Sequence, residues 1–207
     1  MDRMIKNKKV SAKEVKRAFV IAQLIRRPKG RKHYLGPISL KEFEKRLKNA
    51  KSYALKLSET RLDIIIGKEY KRRLRAYNDT QWYIGTVRPT EVGVWRKAGG
   101  LPKAWTRGSL QQTATKVKRA SRTNPKLIKK RARHSIQYML NTNVSELQKE
   151  KYLWPIVFKK GHGTRGRRGL LQMQGDIDDG CMRSIALTIN GAKSIRVYIG
   201  YPKKKGI

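Results

Sequence analysis

Phosphodiester chemistry is the first possibility these residues raise. Asp63, Glu69 and Lys71 set a carboxylate ahead of a Glu-x-Lys triplet, a combination found in many metal-dependent nucleases. Metal-assisted cleavage needs oxygen ligands gathered around one ion. Here the separation is short, and the segment reads as helix rather than as a pair of strands. Asp176, Asp178 and Asp179 form the only acidic cluster and could hold Mg²⁺. Starting a helix is their simpler role, because carboxylates favour the positive end of its dipole. No P-loop, nucleophile elbow or paired-histidine motif is present. His33, His134 and His162 are scattered singly, so no metal, cofactor or catalytic residue is expected.

Phosphate contact is the chemistry the residue types favour. Lys and Arg number 51 of 207 residues against 14 Asp and Glu, for a formal charge of +37. Soluble domains usually carry a net charge of magnitude about 2–8. A charge this large repels itself unless a polyanion is near, which points to nucleic acid, with DNA favoured over RNA. No membrane partner is expected. Arg26 and Arg27-Pro28-Lys29-Gly30-Arg31-Lys32 read first as a basic loop between two helices. The alternative is an AT-hook core, which Arg27-Pro28-Lys29-Gly30-Arg31 resembles except that Lys32 stands in place of the final Pro; there an extended Arg enters a narrow minor groove. Arg165, Arg167 and Arg168 lie in a Gly-Arg loop suited to tracking phosphates without sequence choice. Arg72 and Arg73 stand in a very basic helical segment. Lys129, Lys130, Arg131 and Arg133 face away from the apolar stripe of a helix expected over 125–140. No Asp or Glu occurs between Glu91 and Glu146 to neutralise that region.

Trp82, Tyr83, Trp95 and Trp105 lie among basic residues, where core packing is favoured over base stacking. Tyr83-Ile84-Gly85 resembles the second half of a GIY-YIG nuclease signature whose first half is missing upstream.

The elements that must position these residues read as follows. Residues 1–10 are basic and expected to fray. Ser11 and Glu14 have capping-box spacing, and Val15, Phe19 and Ala22 follow at helical period. A second box, Ser39 and Glu42, opens a helix expected to run to about Leu62, with Gly67 as a stop and Glu69–Tyr77 helical again. Gln81–Val87, Val92–Arg96 and Trp154–Phe158 read as short strands, and Leu110–Ala120 as weakly helical. Asn124-Pro125 suits a helix start. Ile185, Leu187 and Ile189 alternate, Asn190-Gly191 suits a turn, and Ile195, Val197 and Ile199 alternate back, which predicts a hairpin. The expected fold is α+β, helix-rich in its amino-terminal and central parts, with a small antiparallel sheet that includes this carboxyl-terminal hairpin. A division into 1–97 and 108–207 is possible, as is one domain. The single Cys181 precludes an internal disulfide and fits a reducing, intracellular origin. The amino end lacks the apolar core of a signal peptide.

The run Gly169-Leu170-Leu171-Gln172-Met173-Gln174-Gly175-Asp176-Ile177, then Ser184-Ile185, then Ile195-Arg196-Val197-Tyr198-Ile199-Gly200-Tyr201, resembles tail-completion or virion-morphogenesis proteins of tailed phages. The resemblance implies a small α+β subunit of a homo-oligomeric ring at the head–tail junction, among other virion proteins, without enzymatic activity. The expectation is a non-enzymatic nucleic-acid-binding protein, in a virion or the host cytoplasm. The alternatives are a ribosome- or chromosome-associated binder of cellular or mobile-element origin, and then a metal-dependent nuclease.

Overall fold

The computed structural model describes residues 4–26, 39–128, 132, 144–159 and 173–203. Within them the chain forms an α+β fold around one mixed six-stranded sheet. The strands are β1 (Ile5–Val10), β2 (Thr80–Val87), β3 (Val92–Val94), β4 (Ile156–Lys159), β5 (Gly175–Asp179) and β6 (Ile195–Pro202). They lie in the order β1-β2-β6-β4-β5-β3. The β1–β2, β2–β6 and β4–β5 pairs are antiparallel, whereas β4–β6 and β3–β5 are parallel. Strands from both sides of residues 97–108 therefore share this sheet.

The described helices are α1 (Ala12–Arg26), α2 (Leu40–Leu55), α3 (Glu59–Asn78), α4 (Leu110–Thr123), α5 (Val144–Lys149) and α6 (Cys181–Ile189). Serine hydroxyls accept a hydrogen bond from the first-turn amides of four of them. Ser11 accepts from Glu14, Ser39 from Glu42, Ser58 from Arg61 and Ser109 from Gln112. Each bond satisfies an amide that has no intrahelical partner. Only Ser109 and Gln112 complete the reciprocal box. The Ser11 and Ser39 helix starts are as expected. The helix expected to run to Leu62 instead ends at Leu55, and Ser58 caps a new one. Gly67 lies inside α3, whose backbone kinks at Tyr70 (φ −138°, ψ 49°).

Packing centres on aromatics. Phe19 of α1 meets Tyr70 and Tyr77 of α3 edge-on, with centroids 5.4 and 5.8 Å away. Tyr77 meets Trp82 at 5.3 Å, and Trp82 meets Phe158 at 5.2 Å. Such pairs add about 0.5–1.5 kcal/mol each beyond area burial. Gly200 lies opposite Trp82 in the β2–β6 register. A Cβ there would sit 2.9 Å from the indole Cζ3, so only glycine leaves the ring room.

Two sequence expectations are corrected. Residues 5–10 are an edge strand, because their backbone pairs with β2 while Lys6, Lys8 and Lys9 stay in solvent; lysines are a usual means of blunting such an edge. The carboxyl-terminal hairpin is not formed. Its first arm is helix α6, in which Ser184, Ile185, Ala186, Leu187 and Thr188 are all buried. Most positions are buried and Arg183 is the one charged residue, so little of a polar face shows, and the alternating Ile185, Leu187 and Ile189 imitate a strand. Asn190-Gly191 ends the helix instead of turning a hairpin: Gly191 (φ +87°) donates to Thr188 O and Ala192 to Leu187 O. These two bonds form the Schellman pattern, which favours glycine at the left-handed position. The segment carrying the phage resemblance is thus strand, helix and strand where it is described. Its second arm, β6, pairs with β2 and β4. No helix among the described residues is long and apolar enough to cross a membrane.

Candidate nucleic-acid interface

Scarce carboxylates are used in ion pairs, some buried and some at the surface. At least eight of the fourteen form ion pairs, with at least seven cations, among the described residues. Lys16, in the middle of α1 and 1% exposed, lies 2.9 Å from Glu59 and 2.6 Å from Asp63 of α3. Asp63, a candidate metal ligand in the sequence, is therefore the counter-ion of a buried lysine. Glu14 bridges Lys151 at 3.1 Å. Burial alone would lower the Lys151 pKa, but Glu14 holds it above its ordinary value.

The acidic cluster is engaged in the same way. Asp178 and Asp179 end β5 just before α6 and are buried. Arg73 Nε lies 2.7 Å from Asp178 Oδ2, and its terminal nitrogen donates to Oδ1 and to the main-chain oxygen at 3.2 Å. The Tyr77 hydroxyl donates to Oδ2 at 3.0 Å. Arg183 donates to Asp179 at 3.0 Å, and Gln23 at 3.2 Å. Burial alone would raise the Asp179 carboxyl, but Arg183, Arg26 and Arg73 together hold it below its ordinary value. Among the described residues no group of three or more His, Cys, Asp or Glu could hold a metal ion.

Arg73 is therefore corrected as a phosphate contact. It is 6% exposed and already neutralised by Asp178, so a phosphate would have to displace a buried carboxylate. Arg26 is half-buried at the end of α1 and donates to Gln23 Oε1 at 2.7 Å, turned toward the Asp179 group. Arg72 is exposed, as a contact requires, with Lys71 and Arg75 on the same half of α3. Arg27, Lys29, Arg31, Lys32, Lys129, Lys130, Arg131, Arg133, Arg165, Arg167 and Arg168 lie outside the described residues. So does most of the helix expected over 125–140. Pro125–Leu127 is a 3₁₀ turn, and Ile128 and Ala132 from the expected apolar stripe are buried.

The clearest exposed cationic surface is one that no sequence motif singled out. Helix α4 buries Leu110, Thr113, Ala114, Val117 and Ala120 on one face. Helical spacing puts Gln111, Thr115, Lys118, Arg119 and Arg122 on the other, and all five are exposed. Lys118, Arg119 and Arg122 have no carboxylate partner among the described residues. They fall within about 6 Å of helix axis, comparable to two base-pair steps of duplex. Like charges three and four residues apart destabilise a helix by about 0.2–0.5 kcal/mol per pair. A bound polyanion would relieve that repulsion. The signals that could have found this helix were the Ser109–Gln112 box and the acid-free stretch that contains it.

A second cationic group lies on the sheet. Tyr83 and Tyr201 are partly exposed diagonal neighbours on β2 and β6, edge-on at 5.7 Å. Lys6 Nζ sits 3.8 Å from the Tyr201 centroid and 4.8 Å from that of Tyr83, and Lys159 Nζ 5.2 Å from Tyr201. Trp82 is buried, and Trp95 and Trp105 pack against the core.

No family model, curated protein or solved structure matches the chain.

Proposed function

We propose that the protein binds nucleic acid through its phosphates, with duplex DNA as the favoured target, and acts as a binder rather than a catalyst. The observation that supports this most is the face of α4, where Lys118, Arg119 and Arg122 stand exposed without carboxylate partners among the described residues. The rest of the charge distribution supports it too. At least eight of the acids are engaged in ion pairs among the described residues, and the chain carries 37 more cations than acids. Arg72 and its neighbours Lys71 and Arg75 extend the same chemistry on α3. Binding of this kind is driven by release of counterions from the duplex and does not require base readout.

Changing Lys118, Arg119 and Arg122 together to Gln tests the assignment. Each cation that no longer meets a phosphate should reduce the slope of log K against log salt by about 0.9 for duplex DNA. The triple variant should therefore show a slope shallower by about 3, with its fold intact by circular dichroism. An unchanged slope would remove α4 from the interface.

A further inference from the structure

We infer that the tyrosine–lysine group on the sheet is a base-stacking site for single-stranded nucleic acid, separate from the phosphate-binding face of α4. The inference rests on the nucleic-acid reading above and names a second form of the same ligand.

The argument starts from register. Lys6 lies opposite Gly85 and Lys9 opposite Tyr83, with a bulge between Lys6 and Lys8. Residues three apart on a regular strand point to opposite faces, whereas one inserted residue returns both to the same face. The bulge thus gives Lys6 and Lys9 to the face that carries Tyr83. Tyr201 joins them because it pairs with Gln81, one diagonal step from Tyr83. Lys159 joins them from β4, where Phe158 pairs with Gly200 and so sets Lys159 beside Tyr201. Four strands thus deliver two aromatic rings and three ammonium groups to one partly exposed patch.

This composition fits one ligand class. A single strand offers π-faces for the rings and phosphates for the ammonium groups at once, and stacking tolerates any base. Duplex DNA keeps its bases stacked inside, so it could use the lysines but not the rings. In the free protein Lys6 occupies the rings by cation–π contact. At an exposed site that contact is weaker than stacking of a base on the same ring. A bound strand therefore displaces Lys6 from the rings toward its own phosphates. A protein partner would need acidic groups and an apolar anchor, whereas the groups gathered here are phenol rings and ammonium groups, which match stacked bases and phosphates.

The test uses the full chain, a 20-nucleotide single-stranded DNA and the matching duplex, each labelled for fluorescence anisotropy. Tyr83→Ala with Tyr201→Ala should weaken single-strand binding by about 5-fold or more for each base that loses its ring. Duplex binding should change less than about 2-fold. Tyr83→Phe with Tyr201→Phe keeps both rings and should bind the single strand as the wild type does. Because the alanine variant removes packing against β6, ultraviolet cross-linking of wild-type protein to the single strand gives a readout without mutation. Adducts should map to peptides containing Tyr83 or Tyr201. Equal weakening for both ligands, an unchanged single-strand affinity, or adducts only elsewhere would overturn the inference while leaving the duplex reading intact. Failure of the wild type to bind either ligand would overturn both.

Discussion

Replacing Asp178 with Ala should be among the most damaging single changes in this protein. The substitution deletes the 2.7 Å contact to Arg73 Nε, the 3.2 Å bond from its terminal nitrogen, and the acceptor of the Tyr77 hydroxyl. What remains for Arg73 is the main-chain oxygen of residue 178 at 3.2 Å, the faces of Phe19 and Tyr70 at 4.6 and 5.2 Å, and the charge of Asp179, which it shares with Arg183 and Arg26. Removing one partner of a buried ion pair costs about 3–5 kcal/mol, because the other charge is left without compensation. A domain of this size is stable by only about 5–15 kcal/mol in total. At about 2–4 °C per kcal/mol the midpoint should fall by roughly 6–20 °C. Urea denaturation of Asp178→Ala, Arg73→Met and the double variant forms a cycle that isolates the pair. The double variant should be more stable than Asp178→Ala alone, because Met leaves no stranded charge. A loss below about 1 kcal/mol for Asp178→Ala, or a double variant whose loss equals the sum of the singles, would refute the argument that this pair neutralises a buried cation.

Ser109→Ala removes the hydroxyl half of the one complete capping box among the described residues and should cost about 1 kcal/mol in a urea titration. It should also loosen the start of the helix that carries the proposed phosphate contacts. Alkaline pH should weaken the fold through Tyr77 and Tyr198. Burial raises both hydroxyls above their ordinary value of 10.0, and Asp178 beside Tyr77 and Glu14 beside Tyr198 add to it. Groups raised in this way contribute stability that is complete below the unfolded value and lost as pH climbs above it. Each should lose about 1 kcal/mol by about pH 11. Tyr198→Phe should show a flatter profile of urea midpoint between pH 9 and 11 than the wild type.

What the sequence revealed followed from local physics. Val15, Phe19 and Ala22 recur at helical spacing after Ser11, and α1 begins where they require. The strands β2, β3 and β6 lie where apolar and polar residues alternate between turns. The failures have physical causes as well. In α6 most positions are buried and Arg183, paired with Asp179, is the one charged residue, so the alternating Ile185, Leu187 and Ile189 read as a strand, and Asn190-Gly191 suits a left-handed helix end as well as a hairpin turn. Lysines in β1 read as a tail because edge strands tolerate charge on both faces. Arg73 looked like its neighbours Arg72 and Arg75, although helical spacing puts it with Ile66 and Tyr77 on the buried side of α3. That spacing was a usable signal, but its acidic partner lies far away in sequence. The sheet group of Tyr83, Tyr201, Lys6 and Lys159 depends on strand order, which no local pattern encodes.

The most direct test of the central claim is the affinity of the wild-type protein for a duplex DNA across 50–200 mM salt, read by fluorescence anisotropy. If about 6–10 phosphates are neutralised, affinity should fall by about 10³–10⁵ over that range, linearly in log salt. No binding at 50 mM salt, or binding that salt does not weaken, would contradict the account.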